Sequence, residues 1–347
     1  MAYILWISMN LLFSFYVGAV KNCYPGCRCE VESFGLFDSF SLTKVYCSGV
    51  GPNVAPIPIP LDTSYLDLSS NSLHNIADSM LSGPGYTTLV SLDLSNNHLS
   101  KVNRNTFSRL RYLETLDLSH NSLEDLADEC FSGLPLAEVD LSSNRIQEIS
   151  LDIFKSKGHG KPVNVDLSNN LLTRVLRRPQ MSPLNIQSMN LSGNHLKDVP
   201  NLQGVLLRYL NLDGNRIVQI DRGAFAGLKD LLYLSLSGLP DLSVIQPHSF
   251  RGLENLQVLD MSKNPKLKLL NSEVFSGLLS LQELNLSNSG VTFLPDNMLN
   301  HLPSIRSITL RNDVRCWKNQ KQAWFHQQIG QVKSGEFLIC DVAGIVL

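Results

Sequence analysis

The side chains in this chain best suited to chemistry are its seven cysteines, which fall into separate groups. Four lie near the amino end, two lie near the carboxyl end, and Cys130 stands between the groups. The first group has the spacing C-x3-C-x-C and lacks the distant second ligand pair of a zinc site, so we expect disulfides and no metal. The disulfide candidates are Cys23, Cys27, Cys29, Cys47, Cys316 and Cys340. Their pairing within the N-terminal group does not follow from the sequence.

The first nineteen residues predict export to a compartment where disulfides persist. They carry no Lys, Arg, Asp or Glu, hold an apolar run from Ile4 to Val17, and end in the small residues Gly18 and Ala19. This pattern is typical of a secretory signal peptide, with an uncleaved anchor as the alternative. No later segment reaches the ~18 to 20 apolar residues of a bilayer span, so we expect a secreted chain with no membrane span.

The remaining reactive residues do not predict catalysis. The histidines at 74, 98, 120, 195 and 301 mostly fall in turns, without a nucleophile motif or a metal-ligand spacing. We therefore expect no enzyme activity and no cofactor. Cys130 precedes the apolar Phe131, and we expect a buried free thiol, with an intermolecular disulfide as the alternative. A net charge of −2 gives no reason to expect nucleic acid as a partner.

An internal sequence repeat predicts the strands and turns on which these residues lie. The pattern L-x-x-L-x-L-x-x-N recurs eleven times, starting at residues 63, 89, 113, 136, 162, 186, 207, 231, 256, 281 and 305. Spacings of 21 to 26 residues and an asparagine at the ninth position of eight repeats are typical of leucine-rich repeats. The pattern predicts an α/β fold, a right-handed horseshoe solenoid with a parallel sheet on its concave side and disulfide-stapled caps.

The repeat boundaries define the expected domains. We expect a signal peptide over 1–19, a cysteine-rich cap over 20–62, a solenoid over 63–310, and a C-terminal cap and tail over 311–347. Return segments are marked by Phe-x-x-Leu at Phe107, Phe131, Phe225, Phe250 and Phe275. Repeats five and six lack this phenylalanine and carry prolines, so an irregular outer side is expected there. We expect Trp317 and Trp324 to be buried over the last repeat, with a contact patch as the alternative.

The fifth position of each repeat faces outward on the concave sheet, and it is acidic in the first five repeats. These residues are Asp67, Asp93, Asp117, Asp140 and Asp166, and Glu138 adds to them. At about 5 Å spacing, neighbouring carboxylates repel by roughly 0.8 kcal/mol at the dielectric constant of water. A basic ligand laid along this column would relieve the repulsion, so the column is a candidate ligand-binding stripe. The alternative is a solvated consensus position whose carboxylates are bonded by neighbouring serines.

Two sequons and one group of basic residues are further candidate sites. Asn190 and Asn285 begin Asn-Leu-Ser sequences in the same outward column, which predicts N-glycosylation on the concave face. A sugar on Asn190 would divide that face. The basic residues are Lys155, Lys157, Lys161, Arg174, Arg177 and Arg178, on return segments with a single acid, Asp166, on the other side. They indicate either a site for sulfated glycan or a solvated charged face.

Several segments make the resemblance to known proteins specific. The cap C-x3-C-x-C-x17-C, the run from Glu30 to Thr43, the segment Pro58-Ile59-Pro60-Leu61-Asp62-Thr63 and the segment from Gly83 to Leu89 carry it. With these features the chain resembles the small leucine-rich extracellular matrix proteins, in the class IV small leucine-rich proteoglycan family. The resemblance implies a secreted modulator of development that binds bone morphogenetic proteins, TGF-beta-type factors and Frizzled-type Wnt receptors. Heparan sulfate and collagen are further partners under this resemblance.

Two classes of function therefore remain. A curved repeat array offers a broad rigid surface and little cavity, which favours a binding module for secreted signalling proteins. A structural matrix component that binds collagen or sulfated glycans is the alternative.

Overall fold

The computed structural model describes residues 23–34, 40–50, 57–77, 80–155, 161–178, 182–295, 297–311, 314–318 and 338–342. The expected signal peptide, Lys157 and Trp324 lie outside these ranges. One sheet of fifteen strands, in chain order, runs through the molecule. Its strands are Arg28–Phe34, Phe40–Tyr46, Thr63–Asp67, Ser91–Asp93, Thr115–Asp117, Glu138–Asp140, Val163–Asp166, Ile186–Asn190, Tyr209–Asn211, Tyr233–Ser235, Val258–Asp260, Glu283–Asn285, Ser307–Arg311, Val314–Lys318 and Leu338–Val342. The expected parallel-sheet solenoid is thus confirmed.

The sheet is parallel through the repeats and antiparallel only at its two ends. Three short parallel pairs form the outer side: Lys101–Val102 with Asp125–Leu126, Glu148–Ser150 with Arg174–Leu176, and Gln219–Ile220 with Val244–Ile245. The described return segments consist of turns and the 3₁₀ helices Pro84–Tyr86, Leu151–Phe154, Ser272–Phe275 and Met298–His301. No described helix is long and apolar enough to cross a membrane.

Repeat five departs from the sequence expectation at its first core position. The repeat was expected to begin its apolar pattern at Pro162, but Pro162 is exposed and Val163 is buried in its place. A register shift follows Val163, which pairs with Ile186. The Val163 N–H donates to the Asn185 carbonyl at 2.9 Å, a bond that proline has no hydrogen to make.

Phenylalanines stack along the return segments and fill the outer half of the core. The ring centroids of Phe107 and Phe131 are 6.0 Å apart, and those of Phe131 and Phe154 are 5.8 Å apart. Phe154 extends the stack to repeat four, although it lacks the Phe-x-x-Leu pattern. The stack resumes only in repeat seven, where Phe225 lies 5.6 Å from Phe250. Repeats five and six therefore interrupt it, as the missing phenylalanines predicted.

The asparagine at the ninth position of a repeat bonds backbone groups that would otherwise be unsatisfied. Asn121 Nδ2 donates to the carbonyl oxygens of Leu94 and Leu118, at 3.0 and 3.1 Å. Its Oδ1 accepts from the Leu99 N–H at 3.0 Å. Leu94 and Leu99 belong to the preceding repeat, so each such asparagine joins two coils. Since these groups are buried, leaving them unpaired costs about 1 to 3 kcal/mol each.

The N-terminal cap is closed by disulfides and by an aromatic clamp. Cys23 pairs with Cys29 and Cys27 pairs with Cys47, which resolves the connectivity that the sequence left open. The Tyr86 hydroxyl donates to the Ile57 carbonyl at 3.0 Å.

Two of the segments that carry the family resemblance meet beside this clamp. A Cβ on Gly85 would lie 2.6 Å from the Ile59 carbonyl oxygen and 2.7 Å from that of Pro60, so only glycine fits there. Thr88 Oγ1 donates to the Thr63 carbonyl at 2.8 Å. The segment from Gly83 to Leu89 therefore packs on the segment from Pro58 to Thr63, and the contact explains their composition.

At the other end, Val314–Lys318 and Leu338–Val342 form an antiparallel pair in which Cys316 lies opposite Cys340. This backbone register suits the expected disulfide, which stays a prediction. Cys130 is buried and free, as expected, and burial raises the pKa of its thiol to about 12.

Replacing Asn121 by alanine should remove about 2 to 4 kcal/mol from the free energy of unfolding, because three buried backbone groups lose their partner. Urea unfolding followed by circular dichroism measures this loss. The control is Asn105→Ala, since Asn105 is exposed on the return segment of the preceding repeat. Equal stability of the two variants would contradict the structural role of the ladder.

Candidate functional site on the concave face

The sheet register aligns the fifth-position residues into one continuous column. Asp67 pairs with Asp93, Asp93 with Asp117, Asp117 with Asp140, and Asp140 with Asp166. The column continues through Asn190, Asn211, Ser235, Asp260, Asn285 and Thr309. Five carboxylates therefore stand on adjacent strands about 4.8 Å apart. Glu138, two residues before Asp140, points to the same face.

Each aspartate in this column caps the end of its own strand. Asp93 Oδ1 accepts a hydrogen bond from the Ser95 N–H at 2.8 Å, and Asp117 Oδ1 accepts one from the Ser119 N–H at 2.8 Å. The same bond is present at Asp67, Asp140, Asp166 and Asp260. This is the local turn that Asp and Asn side chains favour. One carboxylate oxygen of each of these aspartates therefore has a structural role.

The cap does not require the negative charge. Asn190 Oδ1 accepts from the Ser192 N–H at 3.1 Å, and Asn211 Oδ1 accepts from the Asp213 N–H at 2.8 Å. Asparagine therefore makes the same turn in repeats six and seven without bringing charges together. The charge of the first five repeats is a property of the surface and not a need of the fold.

The charge is unfavourable for the folded chain. Burial raises the pKa of Asp117, and the neighbouring Asp93 and Asp140 raise it further, while hydrogen bonds from Ser119 oppose the shift. A depression of about 360 Å³ lies at this level of the concave face, bounded by side chains of repeats three to six, Asp117 and Asp140 among them. The carboxylate of Asp117, whose charge is unfavourable in the folded chain, borders an open depression and is therefore suited to contact a cationic group of a partner.

A second column contains functional candidates that the sequence analysis missed. It occupies the third position of each repeat: Tyr65, Ser91, Thr115, Glu138, Asn164, Ser188, Tyr209, Tyr233, Val258, Glu283 and Ser307. Tyr209 pairs with Tyr233 on adjacent strands, and Tyr209 is 46% exposed. At the other end, the rings of Tyr46 and Tyr65 are 5.3 Å apart. Reading the third position in the same way as the fifth would have found these residues.

Tyr65 lies on the first of the acidic strands, whereas Tyr209 and Tyr233 lie beyond the last of them. Burial raises the pKa of Tyr65 to about 12, with smaller contributions from Asp67 and Asp93, so its hydroxyl stays neutral. The guanidinium of Arg28 lies 4.8 Å from the ring centroid of Tyr46. Tyrosine gives large contact area with a polar end, which is why it is enriched at protein interfaces.

Both sequon asparagines lie on the concave face and are hydrogen bonded there. Asn190 Nδ2 donates to Asp166 Oδ2 at 3.0 Å, and Asn285 Nδ2 donates to Asp260 Oδ2 at 3.1 Å. Both side chains are partly exposed. A glycosidic bond replaces one of the two amide hydrogens, so a sugar and the bond to the aspartate are compatible.

The six basic residues do not form one unopposed surface, and the expectation of a single acid nearby is wrong. The ion pairs are Lys161 with Glu114 at 2.7 Å, Arg174 with Glu148 at 2.6 Å, and Arg178 with Asp128 at 3.9 Å. Lys161 reaches the start of a concave strand, whereas Arg174 lies on an outer strand. Arg177 Nη2 donates to the Ser182 carbonyl at 3.0 Å, and Lys155 is exposed. The sequence spacing missed the acids because they come from other repeats.

The geometry and the repeat pattern define a leucine-rich-repeat protein. The profile of the leucine rich repeat family matches residues 87–146, 206–265 and 240–290. Among solved structures, a chain of the LRIM1/APL1C complex is 22% identical with a TM-score of 0.58, covering 72% of this chain and 43% of that one. A chain of the TLR13–ssRNA13 complex is 20% identical with a TM-score of 0.51, covering 84% of this chain and 48% of that one. This chain spans less than half of each, and the likeness concerns the fold alone.

Similarity to curated proteins is much closer. Tsukushi of Danio rerio is 62% identical over 347 residues, which is 100% of both chains. Tsukushi of Gallus gallus is 59% identical over 335 residues, 96% of this chain and 90% of that one. Tsukushi of Homo sapiens is 53% identical over 328 residues, 94% and 93% of the two chains. The chain belongs to the Tsukushi family.

Asp117→Asn should stabilise the protein at neutral pH by on the order of 0.5 to 1 kcal/mol, because it removes a charge between two like charges and keeps the cap. The folded-state pKa of Asp117 is above its ordinary value of 3.8, so the folded chain binds more protons between the two values. Its stability therefore falls as the pH rises through that window.

Urea unfolding at several pH values measures this effect on protein from a bacterial host, because Asp117→Asn creates the sequence Asn-Leu-Ser and a sugar there would itself alter stability. The advantage of the variant should be full above the window and vanish below pH 3.8. The control is Asp230→Asn, an exposed aspartate outside the column, which should leave stability unchanged. A pH-independent gain, or a loss, would contradict the charge argument.

Proposed function

We propose that this chain is a secreted binding protein that holds extracellular signalling proteins on its concave face and so modulates developmental signalling. The proposal rests on the run of five aspartates on adjacent strands. Capping the end of a strand requires a side-chain oxygen that accepts a hydrogen bond but no negative charge, since Asn190 makes the same bond as Asp93. Asp67, Asp93, Asp117, Asp140 and Asp166, with Glu138, are the proposed ligand-binding residues. Their partner is a positively charged protein surface, which would relieve the repulsion along the column.

The tyrosines supply the apolar part of the proposed surface. Tyr65 stands at one end of the acidic column, and Tyr209 with Tyr233 stands beyond its other end. Interfaces gain most of their affinity from a few buried aromatic or arginine anchors, whereas charged residues contribute orientation and association rate. The acidic column spans four strand spacings, or about 19 Å, and a partner that contacts both Tyr65 and Tyr233 must cover seven spacings, or about 34 Å.

Family membership supports the choice of partner class. The resemblance to small leucine-rich matrix proteins implies bone morphogenetic proteins, TGF-beta-type factors and Frizzled-type receptors as ligands, and the leader-like sequence over 1–19 supports secretion. The alternative, a matrix component for collagen or sulfated glycan, has less support. Three of the six basic residues that would hold a sulfated glycan, Lys161, Arg174 and Arg178, are paired with acids.

Changing Asp67, Asp93, Asp117 and Asp140 together to Asn should weaken binding to a bone morphogenetic protein at least tenfold and flatten its salt dependence. Each substitution keeps the cap and removes one charge, so the fold is preserved. Each of these changes also creates an Asn-Leu-Ser sequence, so wild type and variants are produced in a bacterial host, which attaches no N-linked sugar. Surface plasmon resonance on these chains, at several salt concentrations, provides affinity and association rate.

The matched control changes four exposed acids elsewhere to their amides: Asp198, Asp221, Asp230 and Glu254. It alters the net charge equally and should leave binding intact. Equal affinity of the column variant and the wild type would exclude the column from binding. Co-sedimentation with collagen fibrils, without binding to any signalling protein, would favour the matrix alternative.

N-glycosylation at Asn190 and Asn285 is part of the proposal. Intact-mass measurement before and after a glycosidase that removes N-linked sugars should show a mass loss, and Asn190→Gln should reduce it. If the sugar on Asn190 divides the concave face, that variant should leave binding at the acidic strands unchanged. If the glycosidase causes no change in mass, N-glycosylation at these two positions is excluded.

A further inference from the structure

A cleft of about 470 Å³ opens on the outer face across repeats three to five. It lies beside the point where the phenylalanine stack ends at Phe154. Glu148, Ile149, Ser150 and Ile153 of repeat four line it. Glu148 is already paired with Arg174 at 2.6 Å, and both isoleucines belong to the buried core. The volume is in the range of small-molecule sites. This cleft takes no part in the proposed binding on the concave face.

The two neighbouring repeats give the cleft walls of opposite charge. Asp125 and Asp128 of repeat three line one side. Arg177 and Arg178 of repeat five line the other, together with the apolar Leu176, which is 41% exposed. The cleft thus presents anionic groups, an apolar surface and cationic groups side by side.

One atom of each of two charged side chains near the cleft lacks a hydrogen-bond partner among the described residues. These atoms are Arg177 Nη1 and Asp152 Oδ1, and both are buried. The Asp152 side chain is 10% exposed, and its other oxygen accepts from the Arg178 N–H at 3.2 Å. A buried charged atom without a partner is costly. Of the two side chains, only Arg177 lines the cleft, so a ligand there could supply an acceptor for its guanidinium.

The contact that crosses the cleft is weak. Arg178 Nη2 lies 3.9 Å from Asp128 Oδ2, and the two side chains are 67% and 77% exposed. Exposed ion pairs of this kind contribute about 0 to 1 kcal/mol. A ligand that offers both an amine and a carboxylate can replace this pair with two shorter ones at little cost.

We propose that this cleft binds a zwitterionic ligand of amino-acid size with an apolar side chain. The ligand's ammonium group faces Asp125 and Asp128, and its carboxylate faces Arg177 and Arg178. Its side chain packs on Ile149, Ile153 and Leu176. A polyanion such as a sulfated glycan does not suit the cleft, because it would meet the two aspartates.

The test uses L-leucine as the probe and the full secreted chain as the protein. Titration followed by ligand-observed NMR or calorimetry should show saturable binding. Leucinamide lacks the carboxylate and N-acetyl-L-leucine lacks the ammonium group, so each should bind at least tenfold more weakly. Asp128→Asn and Arg178→Gln should each weaken leucine binding by a similar factor, and both side chains are largely exposed.

The matched control variants are Asp230→Asn and Arg251→Gln, which make the same changes on exposed residues elsewhere and should bind leucine normally. Thermal unfolding of all four variants verifies that they are folded. Absence of saturable leucine binding by the folded wild type would overturn the proposal. Equal binding of leucine and its two singly charged analogues, or unchanged binding by the cleft variants, would overturn it as well.

Discussion

Every coil of this solenoid must bring its backbone into an apolar interior and hydrogen bond the polar groups that it buries there. The ninth-position asparagine meets this constraint, because one side chain both donates and accepts. Asn144 Nδ2 donates to the carbonyls of Leu118 and Leu141, and its Oδ1 accepts from the Leu123 N–H. Because two of these groups lie in the preceding repeat, the asparagine fixes the spacing and register of adjacent coils.

Fixed register turns sequence positions into surface columns. Once the strands are aligned residue by residue, the residues at one position of successive repeats become neighbours in space. The fifth position then gathers five like charges, and the third gathers tyrosines at two places. Because similar residues recur at one position of successive repeats, their charge or aromatic character extends over a broad surface without a deep pocket. Burial raises the pKa of Asp117, and the neighbouring carboxylates of Asp93 and Asp140 add to the shift.

Interruptions of the period are as informative as the period itself. Repeats five and six lack the outer phenylalanines, contain prolines, and shift register at Val163. The cleft on the outer side extends from repeat three to repeat five, and of the two buried charged atoms without a partner among the described residues, one is in repeat four and one in repeat five. Regular repeats satisfy their polar groups by the same bonds each time, so groups at the junction with an irregular repeat can be left unsatisfied. Irregular repeats are therefore where a solenoid of this kind can acquire a second site.

The sequence by itself determined the solenoid, the parallel sheet, the direction of Asp67 to Asp166 and the burial of Cys130, because periodicity and burial are local properties of the chain. The tertiary structure alone decided which cysteines pair, that Val163 replaces Pro162 in the core, and that Lys161 and Arg174 meet Glu114 and Glu148. It also placed Tyr209 against Tyr233. These outcomes depend on contacts between repeats, and the pattern of any single repeat does not contain the side chains that its neighbours bring.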